Sequence, residues 1–293
     1  MVLILLIYAL TTLPLSKALL VHMQPFFLIG IRMAIAGFLL LFYHLIIARK
    51  NFKIEKKHAK DFLGALIFEI LVPYYARYWA IANSSGQMVD MLCYAGPLFT
   101  YLYTAFLRIE QFSLLKAIAL CLGYAGLIAY KGIQFSAIEL PECAILFSVI
   151  CFVYGWSCIQ RLVVNYHYAP LFINGFTMLA AGIIALLIAG ATESMTVAGD
   201  WWHCLMLLAA IIGISNIFAH TLYVSLLQKY SLTFIQLCSF VAPLCVEYRI
   251  LLFGQSGFSW QLLTATLLII ISVTLFYADE RRHDARSLAV RGI

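Results

Sequence analysis

The stretch Pro25–Gly37, PFFLIGIRMAIAG, occurs a second time in similar form as Pro170–Gly182, PLFINGFTMLAAG, shifted by 145 residues. A further match, Pro97-Leu98 with Pro243-Leu244, is shifted by 146 residues. Similarity at an almost constant shift indicates an internal repeat. The two halves of the chain are therefore predicted to be copies of one structural unit.

Long apolar stretches fill both halves. Hydrophobic residues make up 64% of the 293 positions and charged residues only 11%, whereas soluble domains carry about 25% charged residues. Runs of roughly 20 apolar residues predict transmembrane α-helices, because a helix satisfies its own backbone hydrogen bonds in lipid and a β-barrel needs shorter, alternating segments. The predicted spans are 2–20, 26–47, 62–82, 86–107, 113–131, 143–162, 170–190, 202–227, 231–252 and 260–278. The first stretch lacks a basic segment before it, so we expect a helix there and not a cleaved signal peptide.

The basic residues predict the orientation of these spans. With a cytoplasmic amino terminus, the outer loops hold only Lys131, and 14 of the 19 lysines and arginines lie on the cytoplasmic side. Those 14 are Arg49, Lys50, Lys53, Lys56, Lys57, Lys60, Arg108, Lys116, Arg161, Lys229, Arg281, Arg282, Arg286 and Arg291. Cytoplasmic loops are enriched in positive charge, so both termini are predicted to be cytoplasmic.

Taken together, these patterns predict an all-α polytopic membrane protein with ten transmembrane helices, built as two inverted five-helix repeats. The repeats are assigned to 1–132 and 133–279, followed by a basic tail at 280–293. Because five is odd, the second copy enters the membrane from the opposite side. Inverted repeats are typical of transporters that alternate access to a cavity near the midplane. A purely structural duplication is the alternative.

Ionisable residues inside predicted spans are candidates for function, since insertion of each costs about 2.5–3.5 kcal/mol. In helix 4, Asp90, Tyr94, Pro97 and Tyr101 share one face, and in helix 9 the same spacing holds for Gln236, Phe240, Pro243 and Glu247. We expect these two rows to line the cavity and the prolines to loosen the helices as gates. The alternative is that both rows only pack helices together.

Other polar and aromatic residues could complete the cavity. The remaining candidates for substrate binding are Arg32, Glu69, Tyr74, Arg77, Tyr78, Trp79, Trp156, Asn216, His220 and Tyr223. Asn216, His220 and Tyr223 form one polar stripe, which in a membrane helix usually faces the bundle interior. His220 can be a packing residue or a proton carrier, and Arg32 can anchor a structural pair or bind an anion. The counterpart of Arg32 in the second copy is Thr177.

Several short motifs resemble one known family. They are Tyr8-Ala9, Lys17-Ala18-Leu19 and Pro25 near the start, Pro97 and Phe106–Glu110 around helix 4, Gly123–Gly126 in helix 5, and Pro243 with Leu252-Phe253-Gly254 in the second half. This set resembles the drug/metabolite transporter superfamily, EamA type. The chain departs from the family at Tyr8-Ala9, where Trp-Gly is common, and at Gln255, where an acid is usual. The resemblance implies a ten-helix transporter and does not imply a cargo.

The residue types suggest a small zwitterionic or cationic metabolite as cargo. Carboxylates and aromatic faces suit a cation, and arginine suits a carboxylate or phosphate. S-adenosylmethionine, exchanged or not for S-adenosylhomocysteine, leads among named cargoes, because it combines a sulfonium, an ammonium, a carboxylate and an adenine ring. Members of the family that the chain resembles carry this compound. An amino-acid or multidrug exporter is the alternative. Direction of transport and coupling to protons stay open, as does the choice between monomer and homodimer.

Other classes of protein lack support in the sequence. A membrane-embedded enzyme needs a nucleophile, base or metal cluster, and no HExxH or GxSxG motif occurs. A channel or a non-transport assembly subunit is a further alternative, although no repeated polar rings are evident. The eight cysteines fall mostly in apolar runs, so neither a disulfide framework nor a zinc site is expected. We expect no cofactor and no nucleic-acid partner, contact with membrane lipid, and a place in the bacterial inner membrane.

Overall fold

The structure is a computed structural model of the chain and describes residues 12, 14–47, 54–84, 91–131, 139–252 and 259–290. Within these ranges it consists of helices and their connections, without a β-strand. By length and composition, at least five helices can cross a membrane: Pro25–Ile47, Leu140–Asn165, Pro170–Thr192, Trp201–Leu226 and Trp260–Arg282. Shorter apolar helices cover Leu114–Tyr130 and Leu232–Cys245. The all-helical, multi-pass part of the prediction is confirmed, and the ten inverted spans stay a prediction.

Helical segments overlap each of the predicted spans. We number them in chain order as α1 (14–20), α2 (Pro25–Ile47), α3 (56–83), α4 (91–106), α5 (Leu114–Lys131), α6 (Leu140–Asn165), α7 (Pro170–Thr192), α8 (Trp201–Leu226), α9 (232–252) and α10 (Trp260–Val290). Four of them contain π-helical turns: Tyr43–Ile47 in α2, Leu66–Leu71 in α3, Arg161–Asn165 in α6 and Ile211–Ala219 in α8. Short 3-10 turns occur at Lys56–His58, Cys93–Ala95 and Cys238–Phe240.

Local sequence explains where several helices begin. Pro25 and Pro170 each occupy the first turn of a helix, where the missing N–H is not needed and the fixed φ suits the helix. Asp200 caps α8 by accepting a hydrogen bond from the Trp202 N–H at 3.0 Å. At the start of α6, Glu139 and Glu142 form a capping box.

The helices pack into two compact units. The first comprises Met1–Ala95 and Ala137–Leu232, and the second comprises Gly96–Ser136 and Thr233–Ile293. In the first unit, buried apolar side chains of α2, α3, α7 and α8 form one core around residues such as Leu28, Met33 and Met178. The assignment of repeats to 1–132 and 133–279, with a tail at 280–293, stays a prediction.

Within the first unit, α2 and α7 pack closely through four glycines. An added Cβ would come within 2.2 to 2.9 Å of the opposite helix in every case. The pairs are Gly30 with Leu186, Ala34 with Gly182, Gly37 with Leu179, and Leu41 with Gly175. Residue numbers rise along α2 while they fall by the same steps along α7, so the two helices are antiparallel. Adding 145 to the α2 residue of one pair and subtracting 145 from its α7 residue gives another pair of the set. The glycine-containing face of α2 therefore packs on the corresponding face of α7, which is its counterpart at the shift of 145.

In the second unit, α5 and α10 repeat this arrangement. A Cβ on Gly126 would lie 3.0 Å from Ile269 and 3.1 Å from the Ala265 carbonyl, and one on Gly123 would lie 2.9 Å from the Ser272 hydroxyl. The Ser272 hydroxyl also donates to the Ala119 carbonyl at 2.5 Å. At a shift of 146, the contact of Gly126 with Ile269 corresponds to that of Gly123 with Ser272. The contact of Gly126 with Ala265 corresponds in the same way to that of Ala119 with Ser272. Each unit thus contains one self-complementary antiparallel pair of helices.

Candidate functional site

A buried arginine organises the polar interior of the first unit. Arg32, 1% exposed, donates through Nη1 to the Ser16 hydroxyl at 3.2 Å and to the Tyr78 hydroxyl, and through Nη2 to the Asn216 amide oxygen at 3.0 Å. Its guanidinium carbon lies 5.1 Å from the centre of the Tyr74 ring. All four partners are neutral, so within the described part of the chain the positive charge is solvated by dipoles and an aromatic face and not by a carboxylate. We call these five residues the Arg32 cluster.

A buried carboxylate belongs to the same unit. Glu69 is 0% exposed, and neither of its carboxylate oxygens has a hydrogen-bond partner among the residues that the structure describes. The His220 Nε2 atom lies 3.8 Å from Oε1, at ion-pair distance. Arg32 is close enough for its charge to act on both groups. Burial of a carboxylate with so few polar contacts is costly, so this position suits an additional ligand.

Aromatic rings surround the histidine of this pair. The Trp156 ring centre lies 5.2 Å from that of His220 and 4.3 Å from that of Tyr223. Trp156 is fully buried, and its Nε1–H has no hydrogen-bond partner within the described ranges. A donor, a carboxylate and flat rings are thus held near one another by α3, α6 and α8. We call Glu69, Trp156, His220 and Tyr223 the Glu69 cluster.

Helix geometry sets the position of these polar residues. Glu69 lies in the π-helical turn Leu66–Leu71 and Asn216 in the π-helical turn Ile211–Ala219. The first residues of the two turns are 145 positions apart, the same shift at which Pro25–Gly37 matches Pro170–Gly182. π-Turns are rare and frequently occur at functional sites. They widen both helices where the two buried polar side chains lie.

The position of the arginine differs between the two copies. At Thr177, the counterpart of Arg32, the hydroxyl donates to the Ile173 carbonyl of its own helix at 2.8 Å. That hydroxyl is satisfied locally and reaches no other helix through this bond. The chemistry of the Arg32 cluster thus has no equivalent at this position of the second copy.

Two other predicted residues lie elsewhere in the first unit. The Arg77 guanidinium lies 5.4 Å from the centre of the Phe152 ring. Trp79 lines an apolar cavity of about 420 Å³ together with Phe26 and Tyr75, and these three residues also line an adjoining cavity of about 320 Å³. Glu193 lies at the wall of the second cavity. Trp79 and Glu69 are therefore in different surroundings.

The structure describes only part of the two rows predicted on helices 4 and 9. Tyr94 is half-buried in the 3-10 turn Cys93–Ala95 of α4, which belongs to the first unit. In the second unit, Pro97, Tyr101, Phe240 and Pro243 are buried. Asp90 lies outside the described residues, as does the side chain of Glu247. The cavity between the rows stays a prediction.

Specific contacts account for two residues of these rows. The Tyr101 hydroxyl donates to the Ser113 carbonyl and accepts from the Ser113 N–H, both at 2.9 Å, so it stabilises the connection between α4 and α5. The Phe240 ring packs edge-on against the Tyr124 ring at 4.9 Å. Both contacts are within the second unit.

Sequence reasoning missed several residues of the site and its supports. Ser16 was not a candidate, because one hydroxyl in an apolar helix is a weak signal. Met33 was also missed, although its sulfur accepts from the Asn216 amide at 3.0 Å. Glu193 accepts hydrogen bonds from the Phe26 and Phe27 N–H groups, both at 2.9 Å, and so caps α2 from the far end of α7. Only the packing of α2 on α7 reveals that cap.

The long apolar helices are those of a multi-pass membrane protein, and comparison with known proteins points to a transporter. Residues 1–130 match the EamA-like transporter family. The resemblance to EamA-type transporters that the sequence motifs indicated is thereby confirmed.

Curated relatives extend the likeness to nearly the whole chain. An S-adenosylmethionine/S-adenosylhomocysteine transporter of Chlamydia muridarum is 25% identical over 283 residues, covering 92% of this chain and 87% of that protein. A protein of the same name from Chlamydia trachomatis serovar D is 25% identical over 285 residues, covering 92% and 85%. A protein of known crystal structure shares the fold, with a TM-score of 0.75, 16% identity and coverage of 95% and 96%. These findings point to a transporter of a small metabolite rather than to an enzyme.

Proposed function

We propose that this protein is a secondary transporter that moves a small zwitterionic or cationic metabolite by alternating access, with S-adenosylmethionine as the leading cargo, exchanged for S-adenosylhomocysteine. The names of the two relatives support this choice of cargo. We place the protein in the bacterial inner membrane with both termini in the cytoplasm, as the basic loops predict.

The observation that carries the proposal is the buried Glu69 carboxylate, which lacks hydrogen-bond partners among the described residues and lies beside His220. A cationic group of the cargo would supply the missing counter-charge. The unpartnered Trp156 N–H can donate to a ring nitrogen or carbonyl of the cargo, and the faces of Trp156 and Tyr223 suit a flat heterocycle. Arg32, held by neutral groups, can attract a carboxylate. An S-adenosyl compound has each of these features.

The self-complementary helix pairs support the inverted repeat on which alternating access depends. In the first unit α2 packs antiparallel on its counterpart α7, and in the second α5 packs on α10 in the same manner. Copies related by a twofold axis in the membrane plane would produce reciprocal contacts of this kind. Asp90 and Glu247 remain proposed cavity residues, and Pro97 and Pro243 remain proposed gates.

Binding is tested first by thermal stabilisation of the purified protein. A ligand raises the melting temperature by mass action. S-adenosylmethionine and S-adenosylhomocysteine are compared with amino acids, nucleosides and cationic drugs. We expect a selective shift with the S-adenosyl compounds. A shift only with amino acids or only with cationic drugs would replace the proposed cargo by that of an exporter with the same fold.

Transport is then measured in proteoliposomes loaded with S-adenosylhomocysteine. Glu69→Gln should strongly reduce uptake of labelled S-adenosylmethionine, as should Asp90→Asn or Glu247→Gln. Glu142→Gln is the matched control, because Glu142 is also a buried acid of the first unit but caps α6. Equal uptake by Glu69→Gln and the control would remove Glu69 from the site.

A further inference from the structure

The Glu69 and His220 pair differs from an ordinary salt bridge in two respects. The separation of 3.8 Å between Nε2 and Oε1 is longer than a charge-assisted hydrogen bond, which is about 2.7–2.9 Å. Neither carboxylate oxygen has a hydrogen-bond partner among the described residues. The ionised carboxylate is therefore incompletely stabilised by the protein, and a cation or a proton bound there would relieve this deficit.

Charged and titratable groups also occur on the helices that pack around this pair. Helix α2 contributes Arg32, whose guanidinium donates hydrogen bonds to neutral partners. Helix α7 has no charged or titratable side chain between Pro170 and Thr192. Helix α3 also carries Tyr74, Tyr75, Arg77 and Tyr78, α8 carries Tyr223, and α6 carries Cys151, Tyr154 and Cys158. Further charged and titratable groups lie toward the ends of α2, α3, α6 and α8: Tyr43, His44, Lys56, Lys57, His58, Lys60, Asp61, Glu142, Cys143, Arg161, His203 and Cys204. Glu69 and His220 form the acid and imidazole pair that lies at ion-pair distance in this interior.

The two proposed cargoes differ by one unit of charge. S-adenosylmethionine has a sulfonium, an ammonium and a carboxylate, and its net charge is +1. S-adenosylhomocysteine has a neutral sulfide and a net charge of zero. With the sulfonium of S-adenosylmethionine beside it, the Glu69 carboxylate has its counter-charge. S-adenosylhomocysteine has no sulfonium, so with this compound bound the same carboxylate is left buried with incomplete stabilisation.

From this juxtaposition we infer that the Glu69–His220 pair binds a proton when the cargo is neutral and releases it when the cargo is a cation. The inference rests on the proposed function and adds a coupling ion to it. The cationic cargo would move in one direction, and the neutral cargo with one proton would move in the other. The summed charge of the cargo and the Glu69–His220 pair is then the same in both directions of transport. A pH gradient across the membrane therefore drives the exchange.

Proton release on binding tests this inference directly. The purified full-length protein is titrated with S-adenosylmethionine in a calorimeter, in two buffers of different ionisation enthalpy, at several pH values from about 5.5 to 8. The difference in heat between the buffers gives the number of protons released. We expect release of about one proton at the acidic end, and an affinity that rises by about tenfold per pH unit there. S-adenosylhomocysteine should bind without proton release.

Variants assign the proton to its residue. Glu69→Gln should abolish both the proton release and the dependence of affinity on pH, whatever affinity it retains. Glu69→Asp, which keeps a carboxylate, should still release a proton, and it provides the test if the glutamine variant does not bind or fold. Glu142→Gln, which removes a buried carboxylate at the start of α6, should behave as wild type.

The outcomes separate this inference from the proposed function. Binding of S-adenosylmethionine by wild type without proton release at any pH would overturn the inference and leave the transporter proposal standing. Undiminished proton release in Glu69→Gln would overturn the assignment of the proton to Glu69 and with it the inference. No binding of either S-adenosyl compound would overturn the proposed cargo, and with it the inference.

Discussion

The contact between α2 and α7 makes Gly37→Ala a sensitive test of the fold. The new Cβ would lie 2.2 Å from the backbone nitrogen of Leu179 and 2.7 Å from its Cα, whereas ordinary van der Waals contact begins at 3.4 Å. Both obstructing atoms belong to the backbone, so a rotamer change cannot relieve the clash. The two helices must move apart locally by about 1 Å.

The size of the effect follows from two opposing contributions. Overpacking costs about 1–3 kcal/mol, while replacing glycine by alanine within a helix gains about 0.5–1 kcal/mol. We expect a net loss of about 1–2 kcal/mol in the free energy of unfolding, or about 2–8 °C in Tm. Gly182→Ala, the reciprocal change, should lose a similar amount, because its Cβ would lie 2.3 Å from the Ala34 nitrogen.

The assay is thermal unfolding of the purified variants in one detergent, followed by intrinsic fluorescence. Gly213→Ala is the matched control: this glycine is exposed on α8, and an added Cβ would meet nothing within 4 Å. The double variant of Gly37 and Gly182 should lose less than the sum of the two single losses, because the first substitution already opens the interface. If Gly37→Ala keeps the Tm of the control, the close approach of α2 and α7 is wrong.

Two further predictions concern polar contacts that hold helix ends together. Glu193→Ala should lower the free energy of unfolding by about 0.5–2 kcal/mol in denaturant titrations, because two N–H groups at the start of α2 lose their acceptor. An unchanged denaturation midpoint would contradict the cap. A double-mutant cycle on Asp61 and Arg161, joined at 2.7 and 2.9 Å and mostly buried, should give a coupling of about 1 kcal/mol or more. The exposed pair Lys57 and Glu55, at 2.8 Å, should show no measurable coupling, and equal couplings for both pairs would refute the role assigned to burial.

Composition and periodicity predicted the elements of the fold because each element depends mostly on its own residues. Apolar runs of about 20 residues define helices in lipid, and every described helical segment overlaps one of the predicted spans. The polar stripe of Asn216, His220 and Tyr223 was recognisable for the same reason, since helical spacing places these residues on one face. All three are buried in the first unit.

Contacts between helices distant in sequence could not be predicted in the same way. Glu69 was predicted only as a candidate for substrate binding, and the structure places it beside His220, 151 positions later. Spacing along α3 gives no information on which helix packs against it. The proposed alignment of the two proline-containing rows depends on Asp90 and Glu247, and the structure does not describe those side chains.

The π-helical turns of α3 and α8 bear on the history of the chain. A π-turn usually arises when one residue is inserted into an α-helix, and the helix accommodates it as a local bulge. These two turns begin at Leu66 and Ile211, which correspond at the shift of the repeat. If the halves descend from one ancestral segment, the insertion preceded the duplication that joined them. At the shift of 145, Glu69 corresponds to Ile214 and Asn216 to Leu71, so each copy then carries its polar side chain at a different position of an inherited bulge.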